Sequence, residues 1–224
     1  MASERREVNP FATSRTRPGA IPYRFASNDE LARQLAEIAL HPAMQIVGAH
    51  GIGKSTLVRT LLVQLAARGW QCSLLRIGPG QRRWRKDQIE TNVGASAADD
   101  MREVSPRVEF AATPTGACLF VDGYEQLSWW SKRTLRAAAR RNRQTLIVTC
   151  HDDVGLPVLA RPAVSVALLT ELADALQAGY PRLVSNADVE QLWARHPGHA
   201  REILFGLYDL YETRRASAER PDHS

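Results

Sequence analysis

Hydrophobic positions along the chain follow two rhythms. Short unbroken apolar runs, MQIVG (44–48), QCSLLRI (71–77), ACLFVDG (117–123), TLIVTCH (145–151) and AVSVALL (163–169), read as buried strands. Between them lie segments with helical spacing. Ser27-Asn28-Asp29 before ELARQLAEIAL reads as an N-cap and a helix that ends before Pro42. A second apolar-periodic helix runs from the 48–56 segment to about Arg68 and stops at Gly69, and EQLSWWSKRTLRAAARRN reads as a long helix. Five apolar strands alternating with helices predict an α/β fold, with a parallel sheet covered on both faces. From Thr170 onward the pattern is helical only: ELADALQAG, NADVEQLWARH and AREILFGLYDLYETRR, broken by Pro181 and by Pro197-Gly198.

These rhythms divide the chain into an extended arm over 1–25 (rich in Pro, Arg and Ser), a core over 26–169, a small helical subdomain over 170–215 and a flexible tail over 216–224. Residues 78–116 are the least legible, holding glycines, prolines, the basic QRRWRKD cluster and AADDMREV, a candidate short helix. Hydrophobic residues at 44% and charged residues at 24% exclude wholesale disorder and a fibrous repeat. No apolar run approaches a membrane span, since the richest, 57–67, is interrupted by Arg59 and Gln64. The opening MASERREVNP lacks the apolar core of a secretory signal, so a cytoplasmic protein without a membrane partner is expected. Cys72, Cys118 and Cys150 stand singly in apolar segments and read as buried thiols. The net charge of +5 is almost all arginine, lysine occurring only at 54, 86 and 132, and a nucleic-acid partner is a fair question that charge alone does not decide.

The strongest chemical signal is Gly48-Ala49-His50-Gly51-Ile52-Gly53-Lys54-Ser55-Thr56, which satisfies G-x-x-x-x-G-K-[ST] between an apolar strand and a helix. Glycines let the backbone wrap phosphate oxygens with its N–H groups at the positive end of the helix. Lys54 would reach the β- and γ-phosphates, and the Ser55 hydroxyl would hold Mg2+. A second apolar strand ends in Asp122, 68 residues after Lys54, where a carboxylate can hold the same magnesium. Glu125 follows, either to orient an attacking water or as a helix N-terminal acid favoured by the macrodipole. At the end of the fourth strand, Thr149 or His151 could face the γ-phosphate, or be simple strand-end polar residues. Arg161 is a weaker candidate for an arginine finger. Arg201 opens the last helix, either folding back onto phosphates or solvated. His196 and His199 have too few companions for a metal site.

With these residues in view, the sequence resembles the AAA+ and STAND-type P-loop ATPases. GAHGIGKST looks like Walker A, LFVDGYEQL like Walker B, TLIVTCH like a sensor-1 strand, and GHAREIL like the sensor-2 signature with Arg201 as its arginine. The arm NPFATSRTRPGAIPYRF is similar to the N-terminal segment of transposon-helper and secretion-type AAA+ ATPases. It would line an adenine pocket with Pro10, Phe11 and Tyr23, or else pack on the core. The resemblance implies a P-loop NTPase with a five-stranded parallel sheet in the order 5-1-4-3-2, a helical lid, ATP with Mg2+, and often nucleotide-dependent homo-oligomers. One departure stands out: Gly123 occupies the position where many relatives carry the Walker B glutamate.

The expected function is therefore an ATPase acting as a motor or switch on an unidentified protein or DNA partner. Lys54, Asp122, Glu125, His151 and Arg201 are its candidate catalytic residues. A non-hydrolysing ATP-gated scaffold is the alternative, with QRRWRKD either touching nucleic acid or lying solvated. A small-molecule kinase is a weaker third reading.

Overall fold

A computed structural model of the chain describes residues 8–94 and 116–218; the helix expected at 97–104 lies outside them. The chain forms two compact units. One takes residues 22–49 and 54–162, the other the described parts of 1–21, 50–53 and 163–224.

The larger unit is built on a sheet of β1 (Ala43–Val47), β2 (Gln71–Arg76), β3 (Ile89–Thr91), β4 (Ala117–Asp122), β5 (Gln144–Cys150) and β6 (Val158–Ala160), in the order β3-β2-β4-β5-β1-β6. All neighbours are parallel except β3, which pairs antiparallel with β2. Alternation along each strand sends side chains to two cores. Cys72, Leu74, Cys118, Phe120 and Ile147 face one layer, formed by α2 (Asn28–Leu40) and α3 (Lys54–Ala66). Leu75, Leu119, Val121, Leu146 and Val148 face the other, where Leu135 and Ala139 of α4 (Trp129–Arg141) pack with Tyr124 and Leu127. Burial on both faces explains why the central strands read as continuous apolar runs. The Ser27 hydroxyl accepts the Glu30 N–H at 3.2 Å to start α2, as its sequence predicts.

Three expectations need correction. The sheet has six strands, not five, because antiparallel β3 adds an edge beyond β2; the full order is therefore not 5-1-4-3-2 and the sheet is not wholly parallel, although the five parallel strands follow one another in that order. The last parallel strand is Val158–Ala160, and AVSVALL is not a strand. Ser165 caps α5 (Val166–Gln177) by accepting the Leu168 N–H at 3.2 Å, and Leu169, Ala173 and Leu176 form one buried face. The apolar run is thus the first turn of an amphipathic helix. The expected long helix after β4 is also divided: a 3-10 turn, Tyr124–Gln126, precedes extended Leu127, and Ser128 caps α4.

In the second unit, α5, α6 (Asn186–Arg195) and α7 (Ala200–Ala218) enclose a core of Leu169, Val189, Ile203, Leu207 and Tyr211. The arm is not simply extended. It forms a short α1 (Thr13–Thr16), and Phe11 is buried in this helical core, its ring edge-on to Tyr211 at 6.0 Å between centroids. Asn9 anchors the arm by donating to Tyr208 O at 3.0 Å and Glu212 Oε1 at 2.8 Å.

Asp188 ties two helices of this unit together. Its carboxylate accepts the Ser185 N–H at 2.8 Å in a capping box and both Arg214 terminal nitrogens at 2.6 and 2.7 Å. The Arg214 bonds hold its carboxyl well below the ordinary 3.8; burial opposes them and Ser185 assists. A depressed folded-state pKa stabilises above the unfolded value and loses that contribution as pH falls. Asp188→Asn should therefore cost about 1–2 kcal/mol at neutral pH. In urea titrations, the gap from wild type should narrow as pH drops below 3.8; a constant gap would contradict this assignment.

Candidate phosphate-binding site

The 48–56 segment leaves the C-terminal end of β1, between β5 and β6, and enters a helix. Gly48 N–H still donates to Cys150 O at 3.1 Å, continuing the β1–β5 ladder, and α3 begins at Lys54. Gly51 and Gly53 take positive φ of 72° and 99°, left-handed conformations that let the backbone turn sharply just before α3 begins. Lys54 is buried, and its ammonium donates to Gly48 O and, at 2.7 Å, to Ala49 O. Burial lowers its pKa, while the nearby carboxylates of Glu125 and Asp122 favour the charged form. Ser55 and Thr56 sit half-buried in the first turn of α3. Within the helical unit, to which His50–Gly53 belong, Gly51 lies against the start of α7. A Cβ on Gly51 would stand 3.5 Å from Arg201 Cβ and 3.9 Å from His199 Cα.

Asp122 ends β4 beside Thr149 of β5. The buried Thr149 hydroxyl donates to Asp122 Oδ1 at 2.8 Å and accepts the Gly123 N–H at 2.9 Å, which fixes the carboxylate's rotamer. The 3-10 turn then brings Glu125 to His151, whose Nε2 is 3.3 Å from Glu125 Oε1. Glu125 Oε2 is buried and has no hydrogen-bond partner among the described residues. A buried carboxylate oxygen without a donor is costly, and such an atom is where a water or ligand belongs.

So Lys54, Asp122, Glu125, Thr149 and His151 come together within the larger unit, the last two in separate tasks: Thr149 holds Asp122 and His151 meets Glu125. The sequence offered Thr149 only as a possible phosphate sensor. Its link to Asp122 needs the parallel register, in which Val148 faces Val121 one step earlier. The arm residues fall in two different units. Pro10 and Phe11 are buried in the helical unit, whereas Tyr23 packs edge-on to Phe25 at 5.1 Å in the larger one and donates its N–H to Thr60 Oγ1 at 2.8 Å. Arg161 follows β6 rather than preceding a strand, and it is exposed with Asp153 at 3.6 Å. Among the described residues no three metal-ligating side chains gather as a His, Cys, Asp or Glu cluster, and no helix is long and apolar enough to cross a membrane.

No family model matches the chain, and no curated protein matches it. Among solved structures, a Walker-type ATPase of Pyrococcus abyssi superposes with a TM-score of 0.52 at 11% identity. The match covers 91% of this chain and 73% of that one. The fold is shared with a Walker-type ATPase. At that identity the likeness concerns the fold alone.

Set beside the Walker pattern, the oddity of this chain is Gly123, and the structure gives a steric reason for it. Gly123 has a φ of 88°, and a Cβ there would lie 2.4 Å from the Ile77 carbonyl oxygen. No side chain, glutamate included, fits without moving Ile77, the residue after β2, whose N–H donates to Asp122 O at 2.8 Å. Gly123→Ala should cost at least about 2 kcal/mol. Gly155→Ala, where φ is 74° but nothing lies within 4 Å, should cost only about 1 kcal/mol. Equal denaturation midpoints for the two variants would rule out the carbonyl contact as the cause.

Proposed function

We propose that the chain binds ATP on the 48–56 loop and hydrolyses it, using the cycle as a nucleotide-dependent switch or motor on a macromolecular partner. The observation that carries this reading is the buried, unpartnered Oε2 of Glu125, close enough to Lys54 to act on its charge. The α3 N–H groups and the Lys54 ammonium would hold the β- and γ-phosphates. The donors also suit magnesium: Ser55 and Asp122 offer a hydroxyl and a carboxylate, the hard oxygen ligands this ion takes. When bound, Mg2+ supplies charge neutralisation at the phosphates. Thr149 keeps Asp122 in place for that task.

In the hydrolytic step, Glu125 orients a water and accepts its proton as the water oxygen bonds to the γ-phosphorus. The bond from the γ-phosphorus to the bridging oxygen breaks, and that oxygen leaves as part of ADP with the bond's electron pair. His151, engaged with Oε1, leaves Oε2 to the water. Glu125 thus stands in for the glutamate that Gly123 cannot be. What supports an AAA+-like arrangement is that Gly51 belongs to the helical unit and lies beside the first turn of α7, where a Cβ on it would stand 3.5 Å from Arg201 Cβ. Arg201, in that turn, would be the residue that registers a change at the phosphates. A protein or DNA partner, or assembly of copies of the chain, would receive the change.

Glu125→Gln preserves shape and removes the proton acceptor. Equilibrium binding of a fluorescent ATP analogue should stay near wild type, while steady-state phosphate release falls about 100-fold or more. Undiminished release would exclude Glu125 from the chemistry. Wild-type binding without any release would favour the non-hydrolysing scaffold.

A further inference from the structure

The basic QRRWRKD loop does not present its own aromatic. Trp84 is half-buried against the α4 side of the sheet, and its indole N–H donates to Ser131 O and Thr134 Oγ1, both at 3.2 Å. Trp84 instead pins the loop to α4. A second tie is the Ser128 N–H, which donates to Arg82 O at 3.0 Å. The loop's exposed Arg82, Arg83, Arg85 and Lys86 therefore stand at the N-terminal end of α4.

At that end are the two most exposed aromatic residues of the described chain. Trp129 and Trp130 are 63% and 69% exposed, and their rings meet edge to face at 4.6 Å and 77°. The Arg133 guanidinium lies 5.9 Å from the Trp129 ring centre. Leaving two indoles in water forgoes a large hydrophobic gain, so such a pair marks a contact surface. The charge around it narrows the partner. Five exposed cations lie on the tethered loop and this helix end (Arg82, Arg83, Arg85, Lys86 and Arg133), and the loop's acid, Asp87, is already 3.3 Å from Arg85. An ordinary protein partner would bury these cations unpaired unless it were strongly acidic. A phosphate backbone pairs with them all, and unstacked bases fit the open indole faces.

We propose that this end of α4 and the 82–86 loop form a docking surface for single-stranded nucleic acid. The arginines and Lys86 contact phosphates, and Trp129 and Trp130 stack on bases. A duplex keeps its bases stacked on one another and so engages the cations alone. The surface shares no residue with the ATP site proposed above, so it stands or falls independently of ATP turnover.

The test is fluorescence anisotropy with the full chain and labelled 20-nucleotide dT and rU strands, in competition with inorganic polyphosphate and a duplex of equal length. Both single strands should bind more tightly than the duplex, with affinity falling as salt rises. Trp129→Ala with Trp130→Ala should weaken single-strand binding about 10-fold or more and leave polyphosphate binding unchanged. Phenylalanine at both positions should restore part of the loss. Arg82→Glu with Arg83→Glu should weaken both ligands. Because all four residues are exposed, the variants should keep wild-type thermal midpoints. Equal effects of the tryptophan changes on strand and polyphosphate would overturn stacking. Absence of strand binding, with a protein partner lost on Trp129→Ala, would make the surface a protein-docking site and overturn the proposal.

Discussion

The Ile77 carbonyl oxygen leaves no room for a side chain at the end of β4, and the geometry of the candidate site follows from that crowding. Only glycine can follow Asp122, because a Cβ would come within 2.4 Å of that oxygen. The left-handed turn at Gly123 directs the chain into a single 3-10 turn, which buries Tyr124 and presents Glu125 two residues later than the Walker pattern places its acid. The same glycine N–H is held by Thr149, whose hydroxyl in turn holds Asp122. A steric constraint at one backbone position thus fixes where both carboxylates stand.

Electrostatics around Lys54 balance on that arrangement. Burial disfavours the charged form of Lys54 and lowers its pKa, and the carboxylates of Glu125 and Asp122 oppose that penalty. The carboxylates are therefore coupled to the loop even before any role in chemistry. The buried Cys150 thiol, pushed up to about 11, stays protonated beside them and adds no charge of its own. Around this polar cluster the fully apolar layers of Phe120, Ile147 and Val148 keep β4 and β5 in register, so the side chains at their ends meet as they do.

The parts legible in the sequence were those with a strong local pattern. The run MQIVG, the glycine-rich loop and the periodic helix after it identify β1, the loop and α3, and the apolar ACLFVD identifies β4. Short edge strands were not legible. β3 is three residues in a polar stretch, and β6 is three residues hemmed in by Pro157 and Pro162. AVSVALL misled because Ser165 is both a tolerable strand residue and a good helix cap. Trp84 and the Trp129–Trp130 pair show the same limit at the surface. Sequence marks an aromatic among arginines, but only the fold decides which indole is buried and which is open.

The central claim is that this loop and its carboxylates handle ATP. Its most direct test is ATP binding and phosphate release by the purified full chain with Mg2+, beside Lys54→Ala. The account predicts saturable ATP binding and phosphate release, both lost in Lys54→Ala while the variant keeps the wild-type far-ultraviolet circular dichroism spectrum. ATP binding that survives Lys54→Ala, or no binding by the wild type, would contradict it.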